Sequence, residues 1–159
     1  PVLIAGVLFH FDMGFVLEWQ NRMARPVTYA MYKGSKNSMF VSRNMIISGI
    51  VILSFLVLHF YDFWVPEMDY KYIQSLPEDP NRYYVELIHK FKNPVRVGLY
   101  CLSFIFLALH LVHGLSSSTQ SLGTNNKYAT TIEKISYAFG IGIPLGFCFI
   151  ALYHFFIHF

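Results

Sequence analysis

Four apolar runs constrain this chain more than any other feature. They extend over about Pro1 to Leu17, Met45 to Phe63, Val95 to Leu115 and Ile132 to Phe159. A helix of about 20 residues matches the thickness of a bilayer's hydrocarbon core. Hydrophobic residues make up 55% of the chain and charged residues only 13%, with a mean hydropathy of +0.43. A soluble domain carries about twice that charged fraction. The expected fold is therefore all-α: a transmembrane helical bundle with four spans, its 159 residues forming a single domain.

Smaller features agree. Trp19, Tyr61, Trp64, Tyr100 and Tyr137 sit near span ends, where aromatic side chains anchor at the lipid interface. Pro144 lies among Gly140, Gly142 and Gly146, and a kink is expected there, which membrane helices tolerate when neighbours satisfy the freed carbonyl. Cys101 and Cys148 fall inside apolar runs and are read as small free core residues. No Cys-x-x-Cys-His is present, so any haem would be held non-covalently. A net charge of +3, mixed in position, gives no reason to invoke nucleic acid. The chain opens on proline and is apolar at once, without the basic start and cleavage site of a signal peptide, so an earlier segment is expected to precede it.

Histidines inside the apolar runs carry the functional reading. An ionisable residue at membrane depth is costly and is by default functional. His10, His59 and His110 lie in the first three spans, and His154 in the fourth. Arg22, Arg25, Lys33, Lys36 and Arg43 follow the first span and Lys127 follows the third, whereas the middle loop mixes acidic and basic residues. The positive-inside rule then places the first and third loops in the cytoplasm. His10 lies about two turns, and His110 about one and a half turns, before the inner end of its span. This puts His10 and His110 at similar depth as an inner pair, with His59 at an outer site. Imidazoles on neighbouring membrane helices are natural axial ligands of haem iron.

Gly14 follows His10 by four residues, and Gly114 follows His110 likewise. Each places a missing side chain one turn away on the same face, leaving room for a flat macrocycle or for close helix packing. His113 is assigned a hydrogen-bonding role, and His89, in the polar middle loop, is expected to be solvated. Arg43 with Ser42 beside it is the first candidate for holding haem propionates by charge-assisted hydrogen bonds, followed by Arg22 and Arg25. Asp12 and Glu18 are both open as partners of a quinone or as structural groups.

The run LFHFDMGFVLEWQNRMAR from Leu8 to Arg25, Ser42-Arg43, VLHFYDFW around His59 and LHLVHGLSSSTQSLG from Leu109 resemble the cytochrome b membrane-anchor subunit of succinate dehydrogenase and fumarate reductase, the succinate:quinone oxidoreductases. The likeness is to the single-anchor, dihaem type with five transmembrane helices. It implies two haems b. His10 and His110 would ligate the proximal haem, and His59 the distal one. In the family the partner of His59 comes from a first helix with a His-Leu-x-x-Asn-like motif, which this sequence lacks. That helix would precede Pro1 and bring the spans to five, or His154 would substitute. The resemblance further implies flavoprotein and iron–sulfur subunits on the cytoplasmic face of a bacterial inner membrane. Electrons would pass to menaquinone or ubiquinone in the respiratory chain and tricarboxylic acid cycle, or run backwards to fumarate. Alone, such a subunit is not an enzyme. Two alternatives stay open: the cytochrome b anchor of another quinone-linked dehydrogenase, or a haem-free membrane transporter or scaffold.

Overall fold

A computed structural model describes residues 2–24, 45–123 and 128–158. Among these, every regular element is helical. We name them α1 (Val2–Met23), α2 (Met45–Ile73), α3 (Arg82–Phe91), α4 (Pro94–Ser121) and α5 (Ala129–His158). All but α3 are long and apolar enough to cross a membrane, which makes this a multi-pass membrane protein. The chain divides into two compact units, Pro1–Ile50 and Val51–Phe159.

The first unit contains α1 and the opening turns of α2. Helix α1 runs past Leu17, where its apolar run ends, to Met23. Its last turns are polar and are braced by an ion pair of 2.7 Å between Glu18 and Arg22, one turn apart. On α2, Ser48 is buried and returns its hydroxyl to the Met45 carbonyl at 2.8 Å.

The second unit is built on α4, with α2 and α5 antiparallel to it. Phe55 of α2 meets Tyr100 and Phe104 of α4 edge-on, with ring centroids 5.1 and 5.3 Å apart. Phe147 of α5 packs against Phe104 with ring centroids 5.4 Å apart. Further along, Gly140 of α5 abuts Val112 of α4 so closely that an added Cβ would lie 3.0 Å from the Val112 backbone nitrogen. The core is Phe91, Val97, Tyr100, Phe104 and Ala151, with Leu58, Phe63 and Leu87 packed against it. Cys101 and Cys148 are free thiols, as expected, although the two helices bring them together: Cys148 Sγ lies 3.8 Å from the Cys101 carbonyl oxygen.

Helix α2 outruns its apolar stretch. The sequence places the end of the second span near Phe63, whereas the helix continues to Ile73 through two π-helical turns, Phe60–Trp64 and Asp69–Ile73. Pro66 explains the first. A proline inside an α-helix lacks an N–H and crowds the carbonyl four residues back, here that of Asp62. Widening the preceding turn relieves the clash, and the Val65 N–H accordingly bonds five residues back to the Phe60 carbonyl. The middle loop is consequently shorter than its polarity implies, and it contains α3. That short helix is amphipathic: Leu87 and Phe91 face the core while His89 faces outward. His89 is exposed, as expected.

Asn93 caps α4, its side-chain oxygen accepting from the N–H groups of Val95 and Arg96 at 3.0 and 3.1 Å, with Pro94 at the first helical position. Helix α5 runs unbroken through the buried Pro144. The carbonyl that this proline leaves without its usual donor is that of Gly140, where α5 abuts Val112 of α4.

Candidate functional site

The extension of α2 places a carboxylate against the head of α4 and the end of α3. Asp62, in the π-helical turn, has no solvent-exposed surface. Tyr100 donates its hydroxyl to Asp62 Oδ2 at 3.0 Å, and Arg96 Nε lies 3.2 Å from the same oxygen. Lys90 Nζ, from α3, lies 3.7 Å from Oδ1. Arg96 and Tyr100 are one turn apart on α4, so both present to the same point on α2. A carboxylate at this depth is tolerable only because two cations and a hydroxyl compensate it. In the sequence Asp62 falls at the very end of the second apolar run, and its chain neighbours give it no partner. The available signal was its place three residues after a span histidine, opposite an Arg-x-x-x-Tyr at the head of the next span.

His59 lies one turn before Asp62. Its half-buried ring packs against Phe55 (5.7 Å between centroids), Phe63 (5.2 Å), Phe60 (6.5 Å) and Tyr100 (6.4 Å). Its Nδ1 is buried and has no hydrogen-bond partner among the described residues, and neither has Asp62 Oδ1. The apolar run around His59 therefore ends in an aromatic box with one unused ring nitrogen, backed by an anchored carboxylate.

The remaining candidates are distributed as follows. His10 is on α1, in the first unit, and a Cβ added at Gly14 one turn later would meet nothing within 4 Å. His110 is half-buried on α4, two residues before the Val112–Gly140 contact. His113 is half-buried one turn beyond it. The structure does bear on the depth of His110 relative to His59. Tyr100 marks the level of His59 on α4, and His110 is ten residues further along that antiparallel helix. At 1.5 Å per residue the two imidazoles are about 15 Å apart in depth. His154 is at the same end of the unit as His59. Its ring is engaged by Tyr84 edge-on at 5.7 Å and by His158, stacked at 5.8 Å. Ser42 and Arg43 lie outside the described residues, as do Arg25 and Lys127. Asp12 is exposed on α1, and Glu18 is committed to Arg22.

A second polar cluster holds α3 to the α2 extension. Glu67 accepts from Arg82 at 3.0 Å, from the Tyr83 hydroxyl at 2.8 Å and from Lys71 at 2.8 Å. Arg82 also pairs with Glu86 at 2.7 Å and covers the Tyr70 ring at 3.9 Å. This cluster fixes α3, and through α3 it places Lys90 beside Asp62.

Comparison with protein-family models, curated proteins and solved structures gives no match for this chain.

Proposed function

We propose that this chain is the haem b-carrying membrane anchor of a succinate:quinone oxidoreductase of a bacterial inner membrane. It would pass electrons between an iron–sulfur subunit on the cytoplasmic face and menaquinone or ubiquinone. The observation that carries the reading is the layering of histidines along α4: one imidazole in an aromatic box at the level of Tyr100, another about 15 Å deeper. A membrane electron carrier needs ligands at two depths, and the resemblance of the histidine segments to the dihaem anchor supplies the chemistry.

The residues around His59 fit a haem. The ring is partly accessible and flanked by aromatic faces. Haem b, when bound, takes up and releases one electron at its iron, while the protein sets position and potential. In this reading His10 and His110 hold the proximal group and His59 the distal one. Phe55, Phe63 and Tyr100 pack against the His59 ring and keep it in one orientation. Arg43 and Ser42 would hold propionates on the cytoplasmic side by charge-assisted hydrogen bonds. The flavoprotein and iron–sulfur subunits would dock on that same side.

Haem b quantitation by pyridine haemochrome on detergent-purified complex tests this directly. Two haems are expected, falling by one in His59→Ala and by one in His110→Ala. A colourless wild-type preparation would refute the reading and favour a haem-free membrane protein.

A further inference from the structure

His59 Nδ1 and Asp62 Oδ1 are both buried, both without a hydrogen-bond partner among the described residues, and one turn apart on α2. A buried polar atom left unbonded is costly, and these two are complementary: a ring nitrogen able to donate and a carboxylate oxygen able to accept, one helical turn apart and not bonded to each other. The carboxylate is not loose. Tyr100 and Arg96 secure its other oxygen at 3.0 and 3.2 Å, and Lys90 stands 3.7 Å from Oδ1, beyond a hydrogen bond. Ligand histidines ordinarily donate their second N–H to a carboxylate, carbonyl or water, which fixes the tautomer and raises the basicity of the ligating nitrogen.

We infer that Asp62 is the positioning residue of His59: with Nε2 on the distal iron, Nδ1–H is donated to Asp62 Oδ1, and the Tyr100–Arg96 clamp sets how strongly that carboxylate pulls. This rests on the haem reading above. It assigns to the Asp62 node a task beyond holding three helices together. A strongly accepting carboxylate makes the imidazole a better donor to ferric iron and lowers the potential of that haem. The clamp opposes this, because every donor to Oδ2 drains charge from the carboxylate. The two substitutions below therefore act in opposite directions.

The experiment is a redox titration with low-spin ferric EPR on the purified complex, comparing wild type, Asp62→Asn and Tyr100→Phe. His59→Ala first identifies the distal haem signal. Asp62→Asn should retain both haems, shift the distal EPR signal, and weaken the preference for ferric iron about tenfold, a rise of 59 mV for one electron. Tyr100→Phe, which spares Oδ1 and removes a donor from Oδ2, should shift the same potential downward. Distal potentials unchanged in both variants, or moved in the same direction in both, would overturn the inference and leave Asp62 a packing element. If Asp62→Asn fails to assemble, Tyr100→Phe decides alone, and the absence of a downward shift refutes the proposal. Wild-type protein without a haem that responds to His59→Ala overturns the haem reading itself, and that result appears before any Asp62 variant is made.

Discussion

Replacing glycine by alanine at three positions of α5 should give stability changes of opposite sign from one chemical change. At Gly140 the new methyl would sit 3.0 Å from both the Cγ2 and the backbone nitrogen of Val112, and 3.2 Å from its Cα. Carbon contacts are favourable at about 3.5–4.0 Å, so the methyl intrudes by about half an ångström. Rotating Val112 removes the clash with Cγ2 but not that with backbone, and the remainder forces α4 and α5 apart. Overpacking of this kind costs about 1–3 kcal/mol. At Gly142 and Gly146 an added Cβ meets nothing within 4 Å. There only the helix-propensity gain applies, about 0.8–1.0 kcal/mol in favour of alanine. That gain is common to all three sites and cancels in the comparison. Gly140→Ala should therefore lie about 1–3 kcal/mol below Gly142→Ala, or roughly 2–12 °C in Tm at about 2–4 °C per kcal/mol. Thermal unfolding in detergent can be followed with a thiol-reactive fluorophore, because Cys101 and Cys148 are both half-buried between these helices. Adding Val112→Ala should recover part of the loss and not all of it. If Gly140→Ala and Gly142→Ala unfold within about 1 °C of each other, α4 and α5 do not approach as described.

Other outcomes follow from the same contacts. Asp62→Ala removes the partner of Arg96 and Lys90, and breaking a buried pair from one side costs about 3–5 kcal/mol. Arg96 and Lys90 retain 28% and 24% exposure, so their head groups can turn to water and the loss should fall at the lower end. A double-mutant cycle with Arg96→Gln should show a coupling of about 0.5–3 kcal/mol, and additivity would refute the ion pair. Glu67→Gln weakens the hold on Arg82, Lys71 and Tyr83 together. The expected readout is faster tryptic cleavage after Arg82 with little change in global Tm, and unchanged cleavage would refute the role of this cluster in fixing α3. His59→Ala and His110→Ala should each remove one haem while leaving the other spectroscopically intact, and loss of both in either variant would refute two separate layers.

The four membrane helices were legible from the sequence because the bilayer enforces a length and an apolarity that a linear reading measures directly. His59 and His110 were legible as candidates for the same reason: an imidazole inside such a run stands out against its neighbours. The ends of the helices were not. Glu18 and Arg22 make the last turns of α1 look like loop, yet their charges pair along the helix instead of ending it. Past Phe63 the polar residues read as loop, and the chain instead takes a π turn and continues to Ile73. Helix α3 was hidden in a segment whose mixed charge is a solvated face on one side and Leu87 and Phe91 on the other.

The sequence by itself therefore determines class: how many helices can cross, and which buried imidazoles need an explanation. Tertiary structure alone decides what Asp62 is. Its neighbours in the chain are aromatic and give it no partner. Lys90, Arg96 and Tyr100 are 28, 34 and 38 residues away, and they reach it only because α2 and α4 run antiparallel and α3 is tied down at Glu67. Apolarity and helix length are summed along the chain, so they survive without a fold. Compensation of a buried charge depends on distance in space, and the chain sets that distance only when it packs.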